Sequence, residues 1–464
     1  MRQLCTSPGL LTDLYQFNMM QAYLENGMAE PAVFELFFRK LPPTRGFLVT
    51  AGLEQVLDYL EMLRFSEGEI AWLRQSGHFS SAFLDYLVGF RFSGDVRAMP
   101  EGTICFADEP VIQVVAPLAE AQFVESRLLN LIHFQTVVAS KAARMILAAP
   151  GKQLIDFGFR RAHGEEAGLL AARAAYVAGF AGTATVAAGR LFEIPLHGTM
   201  AHSFVQAHES EIEAFEHFAR SRPDRVVLLI DTYDTEAGAR TVASLAPRLA
   251  ERGIRVAGVR IDSGDLGEMA CRVRKILDAA GLREVSIVAS GGLDENSLQH
   301  LTAADAPIDV YGIGTSLTTA SDAPALDCAY KLQEYAGIAR RKRSAGKATW
   351  PGRKQVYRSF DVERRMRSDL LTTDEGGRTG TPLLQTVMRD GRRTAPSPSL
   401  DELRRRVADA LAQLPEPLYR LEAAATYQIE VDERLRRLAD AVDERNRLNA
   451  ATDRATHRYV AEGP

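Results

Sequence analysis

One short run holds most of what an anion-binding site needs. GVRIDSGDL places Arg260, Asp262, Ser263 and Asp265 within six positions, directly after an apolar stretch. A guanidinium fork matches a carboxylate or a phosphate through two parallel hydrogen bonds. The neighbouring carboxylates suit a ribose diol or Mg²⁺. A strand-end ion pair with a helix N-cap is an equal reading of the same residues. Two glycine runs follow, ASGG with Ser290, Gly291 and Gly292, and GIGTS with Gly314 and Thr315. Glycine lets backbone N–H groups approach and cradle a phosphate, and plain tight turns are the alternative. LHGTMAHSF sets His197 and His202 five residues apart, beside Thr199 and Ser203. Two ligands on one helix face would be four apart. A histidine here can serve as a base or as a nucleophile toward phosphorus, or as a hydrogen-bonded turn residue. DFGFRR supplies Asp156, Phe157, Arg160 and Arg161. Phenylalanine can stack on a flat heteroaromatic ring while arginines take phosphates, and a core phenylalanine with surface arginines fits equally. LLTDLYQFNM sets Tyr15 and Asn18 on one face of an amphipathic helix.

Elements must hold these groups in place. Short apolar runs at 153–157, 183–187, 193–196, 226–230, 256–261, 285–289 and 308–313 predict strands. Helical periodicity at 209–220, 236–252, 266–280 and 295–301 falls between several of them. Strand and helix alternation predicts parallel βαβ units, in a barrel or in an open doubly wound sheet. The polar and glycine residues gather just after the runs, at the strand ends where such folds build active sites. Before this region, 12–27 and 53–63 read as helices and 32–38 as a strand, an α+β pattern. After it, 335–395 is basic and then rich in Gly, Thr and Pro, with 391–398 reading as a linker. Ser399 and Glu402 form a capping-box pattern before a charged helix. A second charged helix spans about 432–448, and the last ten residues read as a frayed end.

Bulk properties narrow the class. With 464 residues, 46 % hydrophobic and 25 % charged, the chain suits two or three globular domains. A net charge of -5 gives no basic excess for nucleic acid. Cys5, Cys105, Cys271 and Cys328 form no CxxC pair, so a zinc site or disulfide framework is not expected, and reduced thiols suit the cytoplasm. No run approaches the roughly 20 apolar residues of a membrane helix, and the N-terminus lacks signal-peptide character.

Taken in order, TDLYQFNM, FELFFRKLP, ESRLLNL, DFGFRRAHG, LHGTMAHSF, DTYDT, GVRIDSGDL, ASGGLDE, GIGTS, YKL and PGRKQVYR resemble the nicotinate phosphoribosyltransferase family over roughly residues 10–360. The resemblance implies an α/β fold, an irregular (β/α) barrel of the type II phosphoribosyltransferase kind. An α+β N-terminal domain (1–135) precedes the catalytic barrel (136–335). Residues 336–398 are expected to return to the N-terminal domain, and 399–464 to form a helical C-terminal extension. The implied reaction joins nicotinate to phosphoribosyl pyrophosphate, with ATP hydrolysis coupled through a phosphohistidine, and serves NAD salvage. Carried over by motif, His202 is the phosphohistidine. Tyr15, Thr199 and Arg260 surround nicotinate, Tyr15 coming from a partner subunit, and Phe157 stacks on the ring. Asp262 and Asp265 hold ribose hydroxyls and Mg²⁺, which also binds through substrate phosphates. Ser290, Gly291, Gly292, Gly314 and Thr315 hold the 5′-phosphate, and Arg160 and Arg39 the pyrophosphate. A homodimer with shared active sites is implied.

The nearest alternative is a nicotinamide phosphoribosyltransferase. Those enzymes resemble one another in an aspartate where this chain has Ala184, in GTATV, so its absence favours the acid. A quinolinate-type enzyme needs more cations and no His202. An isomerase or aldolase needs a lysine or a paired acid and base at a strand end, and Lys152 precedes its strand. A phosphate-binding barrel scaffold without catalysis is the alternative from another class.

Overall fold

The computed structural model describes residues 8–344, 347–375, 378–421 and 425–462, leaving Cys5 and the final two residues of the expected frayed end outside. The chain forms two compact units: 1–136 with 325–399 and 409–464, and 137–324 with 400–408. These limits depart from the expected boundaries. Residues 325–335 belong to the first unit because Cys328–Tyr335 pairs antiparallel with Pro31–Phe38. The C-terminal segment is divided between the units rather than standing as a separate extension.

The first unit is built on a seven-stranded antiparallel sheet. Pro31–Phe38 lies inside it, between Cys328–Tyr335 and Pro110–Pro117, and is buried along nearly its whole length. That explains its almost unbroken apolar sequence. Its one charge, Glu35, pairs with buried Lys354 at 2.8 Å. The segment read as a linker is structured: Arg392–Arg393 pairs with Gln385–Arg389, and Arg393 is held by Glu54, Asp58 and Glu61. The second charged helix runs farther than expected, over Glu433–Glu462.

The second unit carries six parallel strands. They are β1 (Gln153–Asp156), β2 (Gly182–Thr183), β3 (Val226–Leu229), β4 (Val256–Ile261), β5 (Ser286–Ser290) and β6 (Val310–Ile313). Their order is β2-β1-β6-β5-β4-β3. The expected barrel is a half-barrel, since among the described residues β2 and β3 do not pair. The strand expected at 193–196 is reduced to an isolated bridge between Leu196 and Thr183. The run at 183–187 breaks after two residues, and Val186–Phe192 is a helix. Three of the crossover helices, Thr235–Ala250, Leu266–Ala279 and Glu295–Ala303, each have an aspartate N-cap whose side chain accepts a backbone N–H. The caps Asp234, Asp265 and Asp294 thus fix where each strand-end loop stops.

Candidate active site

The C-terminal ends of β1, β4 and β5 bring Phe157, Arg260, Asp262 and Ser290 together with Thr199 and His202 from the segment after β2. β4 delivers Arg260, whose guanidinium is held through each of its three nitrogens. Nε donates to Ser290 Oγ at 2.8 Å, Nη2 to Asp262 Oδ1 at 3.1 Å, and Nη1 reaches Thr199 Oγ1 and the Met200 carbonyl at 3.3 Å. Its Cζ lies 5.5 Å from the centre of the Phe157 ring. Phe157 leaves β1 and lies over Gly312 of β6, where a Cβ would come within 2.5 Å of the ring. Glycine at 312 therefore makes room for the ring.

Asp262 joins three neighbours. Ser290 Oγ donates to its Oδ1 at 2.6 Å, beside Arg260, and His202 Nε2 stands 3.8 Å from Oδ2. Burial pushes this carboxyl up, but Ser290, Arg260 and His202 outweigh it and hold it below the usual carboxylate range. The site therefore keeps a fixed negative charge next to its arginine. His202 opens a short helix, His202–Gln206, and is partly exposed, with Nδ1 3.2 Å from Thr232 Oγ1. His197 is apart from this group. Its backbone N–H donates to Thr183, and burial and Arg225 push its ring toward the neutral form.

Ser290, Gly291 and Gly292 end β5. Gly291 has φ +103 and presses against the Asp262 carbonyl, so a side chain has no room there. Gly292 has φ +64 with open space where a Cβ would point. Gly314 and exposed Thr315 follow β6, with Gly314 close over the Phe157 carbonyl. Asp265 stands differently from Asp262. It is exposed, and its Oδ1 caps the Leu266–Ala279 helix at Glu268 N. Arg160 is exposed on the single turn Phe159–Arg161. Tyr15 and Arg39 belong to the first unit. Tyr15 is 45 % exposed and donates to Glu125 at 3.3 Å. Arg39 pairs with Asp327 at 2.8 Å and keeps a buried Nε without a hydrogen-bond partner.

The sequence reading passed over two residues of DTYDT. Asp231 Oδ2 accepts from Asp262 N at 2.8 Å and from Ser263 Oγ at 2.6 Å, and Thr232 faces His202. Their signals were their place after an apolar run and the DTYDT run of the family resemblance, to which no residue role was attached. Asp156 is also structural to the site: it accepts from Thr183 Oγ1 and Gly158 N and ties β1 to β2. Burial raises its carboxyl, and those two bonds offset part of the rise.

Three family models cover most of the chain. Residues 10–133 match the nicotinate phosphoribosyltransferase N-terminal domain, 152–346 the nicotinate phosphoribosyltransferase family and 377–439 its C-terminal domain. A nicotinate phosphoribosyltransferase of Mycobacterium tuberculosis is 49 % identical over 428 residues, covering 92 % of each chain. The chain belongs to the nicotinate phosphoribosyltransferase family. A Bacillus subtilis nicotinate phosphoribosyltransferase is 42 % identical, over 76 % of this chain and 73 % of that protein. The crystal structure of human nicotinic acid phosphoribosyltransferase superposes with a TM-score of 0.84 at 30 % identity, covering 93 % of this chain and all of the human one. The half-barrel with its N-terminal unit is thus the fold of this family.

Proposed function

We infer that this chain is a nicotinate phosphoribosyltransferase, an enzyme that joins nicotinate to the phosphoribosyl group of phosphoribosyl pyrophosphate and feeds NAD synthesis. The observation that carries the reading is the Arg260 arrangement. A guanidinium stands beside an aromatic face and is held in place by Ser290, Asp262, Thr199 and Met200. A flat ring bearing a carboxylate matches both surfaces, the ring on Phe157 and the carboxylate toward Arg260. Ala184, exposed just past β2 with its N–H on the Asp156 carbonyl, offers no acid to a carboxamide and none to repel a carboxylate. This favours nicotinate over nicotinamide.

The nucleophile is the pyridine nitrogen, which carries no proton to remove. Bond making therefore needs placement and stabilisation of the leaving pyrophosphate rather than a strong base. Ser290, Gly291, Gly292, Gly314 and Thr315 are assigned to the 5′-phosphate, and Arg160 and Arg39 to the pyrophosphate. ATP is assigned to His202. One ring nitrogen takes the γ-phosphoryl group, ADP leaves, and water later returns the imidazole and phosphate. Asp262 and Thr232 steady the charge that develops on the ring. Mg²⁺ would neutralise the phosphate charges. Among the described residues no cluster of three acidic, histidine or cysteine side chains is arranged to hold a metal alone. An ion shared with substrate phosphates suits that donor set. Asp231 is the carboxylate best placed to share it, because its Oδ1 is buried without a hydrogen-bond partner, whereas Asp265 is engaged as a cap. Assembly as a homodimer that shares Tyr15 is carried over with the TDLYQFNM motif, in which Tyr15 is 45 % exposed. A cytoplasmic setting goes with the reaction's substrates.

The test is pyrophosphate release with nicotinate, nicotinamide or quinolinate as acceptor, with and without ATP. Nicotinate is expected to be the preferred acceptor, with ATP accelerating turnover. Preference for either other acceptor would overturn the assignment.

A further inference from the structure

The two glycine turns are braced from behind. β5 and β6 are neighbours with Ser290 opposite Gly312, so the turns leave the sheet side by side. The first turn leads through Leu293 into the Glu295–Ala303 helix, whose first residue, Glu295, is 2 % exposed. The second leads through the short helix Thr315–Thr318 to Asp322. Lys141, on the helix Glu125–Ala148, is 1 % exposed. Its Nζ stands 2.5 Å from Glu295 Oε2 and 2.8 Å from Asp322 Oδ1. Arg144, three residues on, brings Nε to 3.5 Å from Glu295 Oε1. Ser316 Oγ adds a direct tie by donating to the Leu293 carbonyl.

A buried ammonium clasped by two carboxylates is withheld from any substrate. It is also a poor stabilising device, because desolvating the charges costs about what their attraction returns. Its geometric effect is specific. The two carboxylates follow different turns, and one ammonium fixes how far apart they sit. We propose that Lys141 is a positioning residue that sets the separation of the two glycine turns, and through it the grip on the 5′-phosphate. The proposal rests on the assignment of those turns to that phosphate.

The experiment measures calorimetric affinity of the full-length protein for nicotinate mononucleotide and for nicotinate riboside, which lacks the phosphate. Asp322→Asn keeps the shape and removes one charge of the clasp. It is expected to weaken the mononucleotide about tenfold, the effect of one impaired charged hydrogen bond, and to leave the riboside and Tm nearly unchanged. Lys141→Arg, which can still bridge two carboxylates, is expected to bind like the parent. Gly292→Asp tests the phosphate assignment itself: it places a carboxylate in the turn, at a φ that aspartate tolerates and with open space for its Cβ. It too is expected to weaken only the mononucleotide. An Asp322→Asn protein that binds the mononucleotide normally, or loses both ligands equally, overturns the proposal while the effect of Gly292→Asp leaves the phosphate assignment standing. If Gly292→Asp also spares the mononucleotide, the assignment falls and the proposal with it. Should Asp322→Asn not fold, Asp322→Glu, which keeps the charge and displaces it by one methylene, makes the same test.

Discussion

At the scale of single residues, the proposed role of Arg260 in acceptor recognition rests on its fork, not merely its charge, being positioned. Lysine keeps the charge and loses the planar donors. Arg260→Lys is expected to lower kcat/KM for nicotinate on the order of 10- to 100-fold, the effect of losing one or two charged hydrogen bonds, with Tm little changed. A KM for nicotinate equal to that of the parent would remove Arg260 from the acceptor site. Gly312 makes a subtler prediction. A methyl there collides with Phe157, so Gly312→Ala is expected to raise KM for nicotinate several-fold more than KM for phosphoribosyl pyrophosphate. Steady-state kinetics with each substrate varied decides it, and equal effects on both would contradict ring stacking. Arg260, Asp262 and the glycines were legible as candidates because they cluster just after successive apolar runs, and His202 through the family resemblance that GTMAHSF helps to carry. Asp231 and Thr232 were not, since their parts depend on meeting Asp262 and His202 from another strand, which local sequence does not encode.

At the scale of elements, the helix Glu211–Ser221 holds a proton near neutrality. Burial, with the Asp234 charge beside it, pushes the Glu211 carboxyl from its ordinary 4.5 up to about 7. Between those values the folded chain keeps a proton that the unfolded chain has released, so this group's contribution to stability falls as pH rises through the window. Glu211→Gln is therefore expected to raise Tm relative to the parent more at pH 8 than at pH 5. Thermal unfolding at both pH values checks this, and a difference independent of pH would contradict it. Periodicity placed β1, β3, β4, β5 and β6 and the helices Glu211–Ser221, Thr235–Ala250, Leu266–Ala279 and Glu295–Ala303, because strand and helix repeats differ clearly there, but it passed over the helix Glu165–Val177. It failed at 183–187 and 193–196. The stretch VAAGRLF is apolar in either state, and its alanines favour helix, which is what forms. It failed again at 354–393, where charged residues hid real strands. Arg358 is buried there because Asp369, opposite it on Met366–Thr373, takes two of its hydrogen bonds, and such pairing is invisible along the chain.

At the scale of the whole molecule, the chain returns to its first unit after completing the second. The return of 336–398 was expected from the family resemblance, whereas its start at 325 and the assignment of 400–408 to the second unit were not. The proposed shared-site dimer makes its own prediction: Tyr15→Ala and His202→Asn proteins, each impaired alone, are expected to regain activity when unfolded together and refolded as a mixture. No recovery beyond the sum of the two would argue against sharing. The central claim is that His202 couples ATP to a transfer reaction whose bond making it does not perform. The most direct measurement follows ADP and nicotinate mononucleotide together, in the parent and in His202→Asn. The account predicts that the parent releases ADP in step with mononucleotide, while His202→Asn forms mononucleotide slowly and releases no ADP. ADP release that continues in step with product in His202→Asn would contradict it.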